Sequence, residues 1–206
     1  MKCLLLDTSS SNVLVALIEN NKIIYEYRKK VDSDLASKIL TIIDNGLKDC
    51  NSKINDIDKI FVANGPGSFT GVRIGVTVAK NIAWALDKDV IPISSLEILA
   101  TTKTNKKYLV PMIDARRDNV FAGIYDKNLN LIESDKLISI KELIKKTNND
   151  YEFISYDDIK INGLIKPDID IIKIINHHIN DTNINPHKLN PRYLKLTEAE
   201  ENLLNG

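Results

Sequence analysis

The chain has 206 residues, with 28 basic and 28 acidic side chains and a formal net charge of zero. That length can bury a sizeable core as one large domain or two small ones. Balanced charge excludes the broadly basic surface by which a protein grips nucleic acid unaided, so any contact with RNA runs through a local patch or a partner.

Residues 2–7 (KCLLLD) read as a buried strand, too short and too soon broken by Asp7 to be a signal peptide. Residues 12–19 and 22–28 read as two more strands joined by the turn Asn20-Asn21. A helix is predicted over 34–48, with Ser33 or Asp34 as its N-cap. Its apolar residues Leu35, Ala36, Ile39, Leu40, Ile42, Ile43 and Leu47 span an arc too wide for one buried stripe. A strand at 59–63, a glycine-rich loop, a helix at 70–86 and a strand at 90–93 follow. Ser94 and Glu97 have the spacing of a capping box for a helix at 95–102, and Ser139 and Glu142 for one at 140–147. Between these lie strands at 108–114, 119–126 and 131–138; beyond them come a strand at 151–155 and a helix over 168–180. The tail from 186 is first Asn- and Pro-rich and then charged.

No apolar run approaches the ~20 residues of a membrane helix, and a cytoplasmic protein is expected. Cys3 and Cys50 form no CxxC pair and read as reduced thiols.

LLLDTSSSNVLVALIENN echoes PMIDARRDNVFAGIYDKN at one constant offset, which pairs Asp7 with Asp114, Asn12 with Asn119 and Val13 with Val120. Two copies of one strand, polar turn and returning strand predict two related subdomains, 1–103 and 104–206.

The most specific segment is GPGSFTGVRIG at 65–75. No Lys-Ser or Lys-Thr follows its last glycine, so it is not a Walker A loop, and its spacing departs from the dinucleotide fingerprint. Gly71, Gly75, Ala79 and Ala83 recur every fourth residue and line one helix face with small side chains. Such a face admits a second helix at short range, either within the fold or from another chain. Asp7, Thr8 and Ser9 form a turn after a strand that suits either an ordinary hairpin or a phosphate cradle with Mg²⁺ on the aspartate. Arg73 is a further candidate phosphate contact, and Arg116-Arg117 sit in the second hairpin turn. His177, His178 and His187 lack helix spacing for a metal and are expected in loops or facing solvent. Neither Ser9 nor Ser68 has a recognisable His/Asp partner set.

GPGSFTGVRIG resembles the hallmark of the TsaB family. The resemblance extends, in family order, to LLLDTSSS at 4–11, SSLEILA at 94–100, MIDARRDNVFAGIYD at 112–126 and PRYLKLTEAE at 191–200, while 140–190 is weak and shorter than usual. It implies an α/β actin-like, sugar-kinase-like ATPase (ASKHA) fold with two related subdomains of mixed sheet plus helices. It implies a non-catalytic dimerisation and scaffold subunit for a TsaD-like catalytic subunit, working with a TsaE-like ATPase. That assembly forms threonylcarbamoyladenosine beside the tRNA anticodon, with tRNA reached only through the complex. The subunit itself needs no cofactor or metal; ATP and Mg²⁺ belong to the complex. In such proteins the first two long helices make the dimer contact. Here that places the interface on Leu35, Ile39, Ile42 and Ile43 and on Gly71, Gly75, Ala79 and Ala83. On this reading Gly75→Leu should abolish partner binding and spare the fold. The catalytic relative holds a metal through helix histidines, whereas the matching stretch here, Asp34 to Ser37, has none. The alternatives are a free-standing ATPase or phosphotransferase of the same fold, a metallopeptidase, and a homodimer with an unrelated binding role.

Overall fold

The structure, a computed structural model, describes residues 1–31 and 34–195. Ser33 as a cap and the charged tail around Glu198 to Glu201 therefore lie outside the described residues.

The first sheet is built from β1 (Lys2–Asp7), β2 (Asn12–Glu19), β3 (Lys22–Lys30), β4 (Lys59–Ala63) and β5 (Asp89–Ile93). Its spatial order is β3-β2-β1-β4-β5. The first three strands are antiparallel neighbours, whereas β1, β4 and β5 run parallel. Asn20 and Asn21 both take positive φ, the conformation a tight hairpin needs. The parallel strands need crossovers, supplied by α1 (Leu35–Asp49) and α2 (Phe69–Leu86).

The second sheet repeats this plan. Its strands β6 (Tyr108–Asp114), β7 (Asn119–Asp126), β8 (Leu131–Ser139), β9 (Tyr151–Ile154) and β10 (Leu164–Ile165) lie in the order β10-β9-β6-β7-β8. Again three strands are antiparallel and two further pairings are parallel. The echo between the hairpins is thus one part of a duplication of the whole sheet. α4 (Ile140–Lys146) takes the place of α1, but among the described residues nothing takes the place of α2. β9 reaches β10 through the helix-free residues 155–163, which is why this stretch reads as short.

The first sheet is covered on both faces. Leu4 and Leu6 point to α1 and α2, meeting Ile39, Ile43, Val72 and Val76. Cys3 and Leu5, one residue out of phase, point to a core shared with α3 (Ser95–Leu99), α5 (Ile171–His178) and the second sheet. Burial, with Asp58 nearby, pushes the Cys3 thiol up to about 11, so it stays protonated. The far side of the second sheet packs on α4 through Val110, Met112, Val120 and Leu143.

Some helix ends differ from expectation. Asp34 makes no side-chain cap; it sits at φ 57° and accepts from Ser37 and Lys38 through its carbonyl. Both expected capping boxes are half made. Ser94 and Ser139 accept from Leu96 and Glu142, but Glu142 pairs with Lys146 and Glu97 turns to two histidines. α3 stops at Leu99 rather than 102 because the Thr101 and Thr102 hydroxyls bond back to Ile98 and Leu99. The same hydroxyls accept from Asp170 and Asp168 at the entry to α5.

The boundary near 103 separates the two sheets, yet residues 184–193 return to the first. Ile184 bridges Val90, Leu189 joins the core under α2, and the Arg192 amide donates to the Asn64 carbonyl. This segment, placed by sequence within 104–206, thus contacts the first half, with Ile184 and Leu189 packed in that half's core.

Candidate functional site

The 65–75 loop closes on the first hairpin turn. The Ser68 amide donates to the Ser9 carbonyl at 2.6 Å, and the Ser68 hydroxyl caps α2 by accepting from Gly71. Gly67 has φ 155°, and a Cβ there would strike the Ser9 carbonyl. The Thr8 hydroxyl donates to the Gly71 carbonyl at 2.7 Å. Cβ atoms at Gly71 and Gly75 would collide with the carbonyl and the hydroxyl of Thr8. The motif therefore seats the start of α2 directly on the end of β1.

This settles where the small-residue stripe points. Gly71, Gly75, Ala79 and Ala83 are buried within the chain, as are Ile39, Ile42 and Ile43. Gly71 and Gly75 pack against Thr8, and Ala79 and Ala83 lie in the core under α2, so within this chain the expected interface set is turned inward, Leu35 alone being partly exposed. The outer face of the same two helices carries Leu40, Phe69 and Trp84 at 59%, 42% and 63% exposure. Between the helices runs a groove of about 420 Å³ lined by Ala36, Phe69, Arg73, Ile74, Thr77 and Val78. Phe69 stacks on Tyr193 at 5.2 Å, and the Arg73 guanidinium lies 3.8 Å over the Phe69 ring.

The candidate phosphate contacts are not brought together. Asp7 is buried, and burial pushes its carboxyl above the usual range against the opposing hydrogen bonds from Ser9. Its Oδ1 accepts from the Ser9 amide, an arrangement Asp114 repeats with Arg116. Thr8 is spent on Gly71, and Arg73 lies on the outer face, donating to the Tyr193 hydroxyl. A cleft of about 860 Å³ does open between the halves, reached by Thr8, Ser9, Leu35, Gly67 and Gly71. It carries Asp34, Asp114, Asp157 and Asp158 against Arg116, a wall that repels a bare phosphate.

Two polar clusters were not legible in the sequence. Asp135 on β8, its side chain 2% exposed, accepts from the Ser94 hydroxyl, the Tyr125 hydroxyl and the Arg192 guanidinium at 2.5, 2.6 and 3.0 Å. Nearby, Glu97 of α3 meets the histidines that end α5. Its Oε1 lies 2.9 Å from His178 Nε2 and 3.5 Å from His177 Nε2. His178 Nδ1 lies 2.7 Å from Asp181. Burial opposes a charged His178, but its bonds to Glu97 and Asp181 outweigh that and push its pKa up. Both histidines are thus on a helix; His177 faces solvent as expected, whereas His178 is largely buried. A search for ligand spacing along one helix misses them because their partner comes from another helix.

The family model described as TsaD, tRNA N6-adenosine threonylcarbamoyltransferase, matches residues 29–181. The tRNA threonylcarbamoyladenosine biosynthesis protein TsaB of Bacillus subtilis (strain 168) is 35% identical over 164 residues, covering 76% of this chain and 72% of that protein. The TsaB of Escherichia coli (strain K12) is 29% identical over 133 residues, 63% of this chain and 57% of that protein. Among solved structures, YeaZ from Pseudomonas aeruginosa superposes with a TM-score of 0.77 at 22% identity, covering 94% of this chain and 99% of that one. The duplicated mixed sheets are those of an actin-like α/β fold. No helix among the described residues is long and apolar enough to cross a membrane. With a clamp motif, a duplicated sheet and relatives that agree over most of its length, the chain belongs to the TsaB family of tRNA threonylcarbamoyladenosine biosynthesis proteins.

Proposed function

We propose that this protein is a non-catalytic scaffold subunit that docks a TsaD-like catalytic subunit on the outer face of α1 and α2. The observation that carries this reading is the exposed apolar surface of Leu40, Phe69 and the groove at Ile74 and Val78. Anchors of this kind, grouped around a groove, are what an interface desolvates. The occupant follows from likeness. A family model described as TsaD matches most of this chain, including α1 and α2, so a TsaD-like chain offers a related helix pair. Two related helix pairs can meet about a pseudo-twofold axis. The same geometry makes a homodimer the state of the isolated protein. The inward use of Asp7, Thr8 and Ser9 supports a role without chemistry. ATP, Mg²⁺, a TsaE-like ATPase and tRNA belong, on this reading, to the assembled complex.

The test is light scattering after size exclusion on this protein with its cognate TsaD-like subunit. A one-to-one complex is expected, weakened about 30-fold (~2 kcal/mol) by Leu40→Asp or Phe69→Ala. Absence of a complex with Mg-ATP present, or a complex indifferent to both variants, removes the proposal. The inter-sheet cleft favours a second reading, a nucleotide site of the protein's own; saturable Mg-ATP binding by the isolated chain would establish it.

A further inference from the structure

We infer that Glu97, His177 and His178 form a binding site for a divalent transition metal ion of the zinc class, which ties α3 to the end of α5. One ligand atom from each side chain lies within 4.8 Å of the other two. Zinc bonds of about 2.0–2.2 Å to His nitrogen and carboxylate oxygen place tetrahedral ligands roughly 3.4 Å apart. The two distances from Glu97 Oε1, 2.9 and 3.5 Å, bracket that spacing.

A second observation points to a cation. His178 Nδ1 is held by Asp181 at 2.7 Å, so this nitrogen keeps its hydrogen and donates to the carboxylate. Its Nε2 faces a second carboxylate, Glu97 Oε1, at 2.9 Å, so the ring sits between two acceptors. With a proton on Nε2 this is an ion pair; a metal ion binding here replaces that proton and takes Nε2 and Oε1 as ligands. A carboxylate behind a ligating histidine fixes its tautomer and raises its basicity, the usual outer support of a zinc ligand. Two imidazoles and one carboxylate form a donor set borderline metals favour over Mg²⁺ or Ca²⁺. Glu97 and His177 also line a cavity of about 490 Å³ beside Ser94, Asp135 and Arg192. Water from that cavity supplies the fourth ligand. No step of the proposed docking role depends on this site, so either can fail alone.

The experiment is calorimetric titration of the chelator-treated full chain with Zn²⁺, paired with Co²⁺ absorption. One equivalent is expected, with visible Co²⁺ bands of low coordination number and a rise in melting temperature. Glu97→Gln, His177→Ala and His178→Ala should each weaken binding tenfold or more, while His187→Ala and Cys50→Ser leave it unchanged. Should His178→Ala fail to fold, His177→Ala, a half-exposed side chain, still decides. No saturable binding, binding indifferent to His177→Ala, or a thiolate band lost with Cys50→Ser would overturn the proposal.

Discussion

Asp7 shows how one residue type in one pattern is compatible with two tasks. A strand, an aspartate and small hydroxyl residues are what a phosphate cradle needs, and they are also what an Asx turn needs. The structure chooses through burial. A carboxyl whose pKa is raised by folding gives stability that is present below its unfolded value and lost as pH rises through the folded one. Asp7→Asn keeps an acceptor for the Ser9 amide and removes the buried charge. It should therefore melt higher than the parent at neutral pH, with the difference vanishing below about pH 4, where the parent carboxyl is protonated in both states. Melting curves across that range decide it; a variant less stable at neutral pH would mean that the charge is used. Gly75 carries the opposite lesson. Its spacing is legible, but which side of α2 it faces depends on Thr8, far away in sequence. Gly75→Leu should cost about 3 kcal/mol or more of stability by denaturant titration, because the side chain must displace β1 from α2.

At the scale of elements, periodicity served well wherever both ends of a segment had local causes. β1, β2, β4, β6 and β7 match their predicted spans, since alternation or continuous apolar character defines them. β10 is two residues long and exists only through its pairing with β9, so no local pattern announces it. The wide apolar arc of α1 divides into a buried side and an exposed one, and the pattern alone does not say which residues serve which. Ile39 is 1% exposed, while Leu40 one position on is 59% exposed. The two faces should separate by energy. Ile39→Ala should cost about 3 kcal/mol of folding stability, and Leu40→Ala should stay within about 0.5 kcal/mol while weakening the complex. Urea unfolding of both variants checks this. Equal costs would place Leu40 in the fold and leave the docking face without its anchor on α1.

For the whole molecule, the duplication explains both what the chain keeps and what it has shed. The second copy lacks a counterpart of α2, so its parallel strands are joined by a plain loop, while the first copy's α2 is overlaid by the chain's return at 184–193. That return is pinned at Arg192 to Asp135, a carboxylate buried in the second half, so one side chain joins segments that sequence alone keeps 57 residues apart. No motif marks Asp135, because its importance comes from three donors on three different segments, Ser94, Tyr125 and Arg192. Removing it strands all three. Asp135→Ala should therefore cost about 3 kcal/mol, within the stability of an ordinary domain and so measurable by denaturant titration. Arg192→Ala should cost less, about 1 kcal/mol, since its side chain is 42% exposed and water replaces part of the contact. If the return segment is held through this pair, the double variant loses less than the sum of the two by roughly 0.5–1 kcal/mol, the coupling expected of groups in direct contact. Strict additivity would mean that Arg192 is held by its backbone bond to Asn64 alone, and that Asp135 organises only the second half.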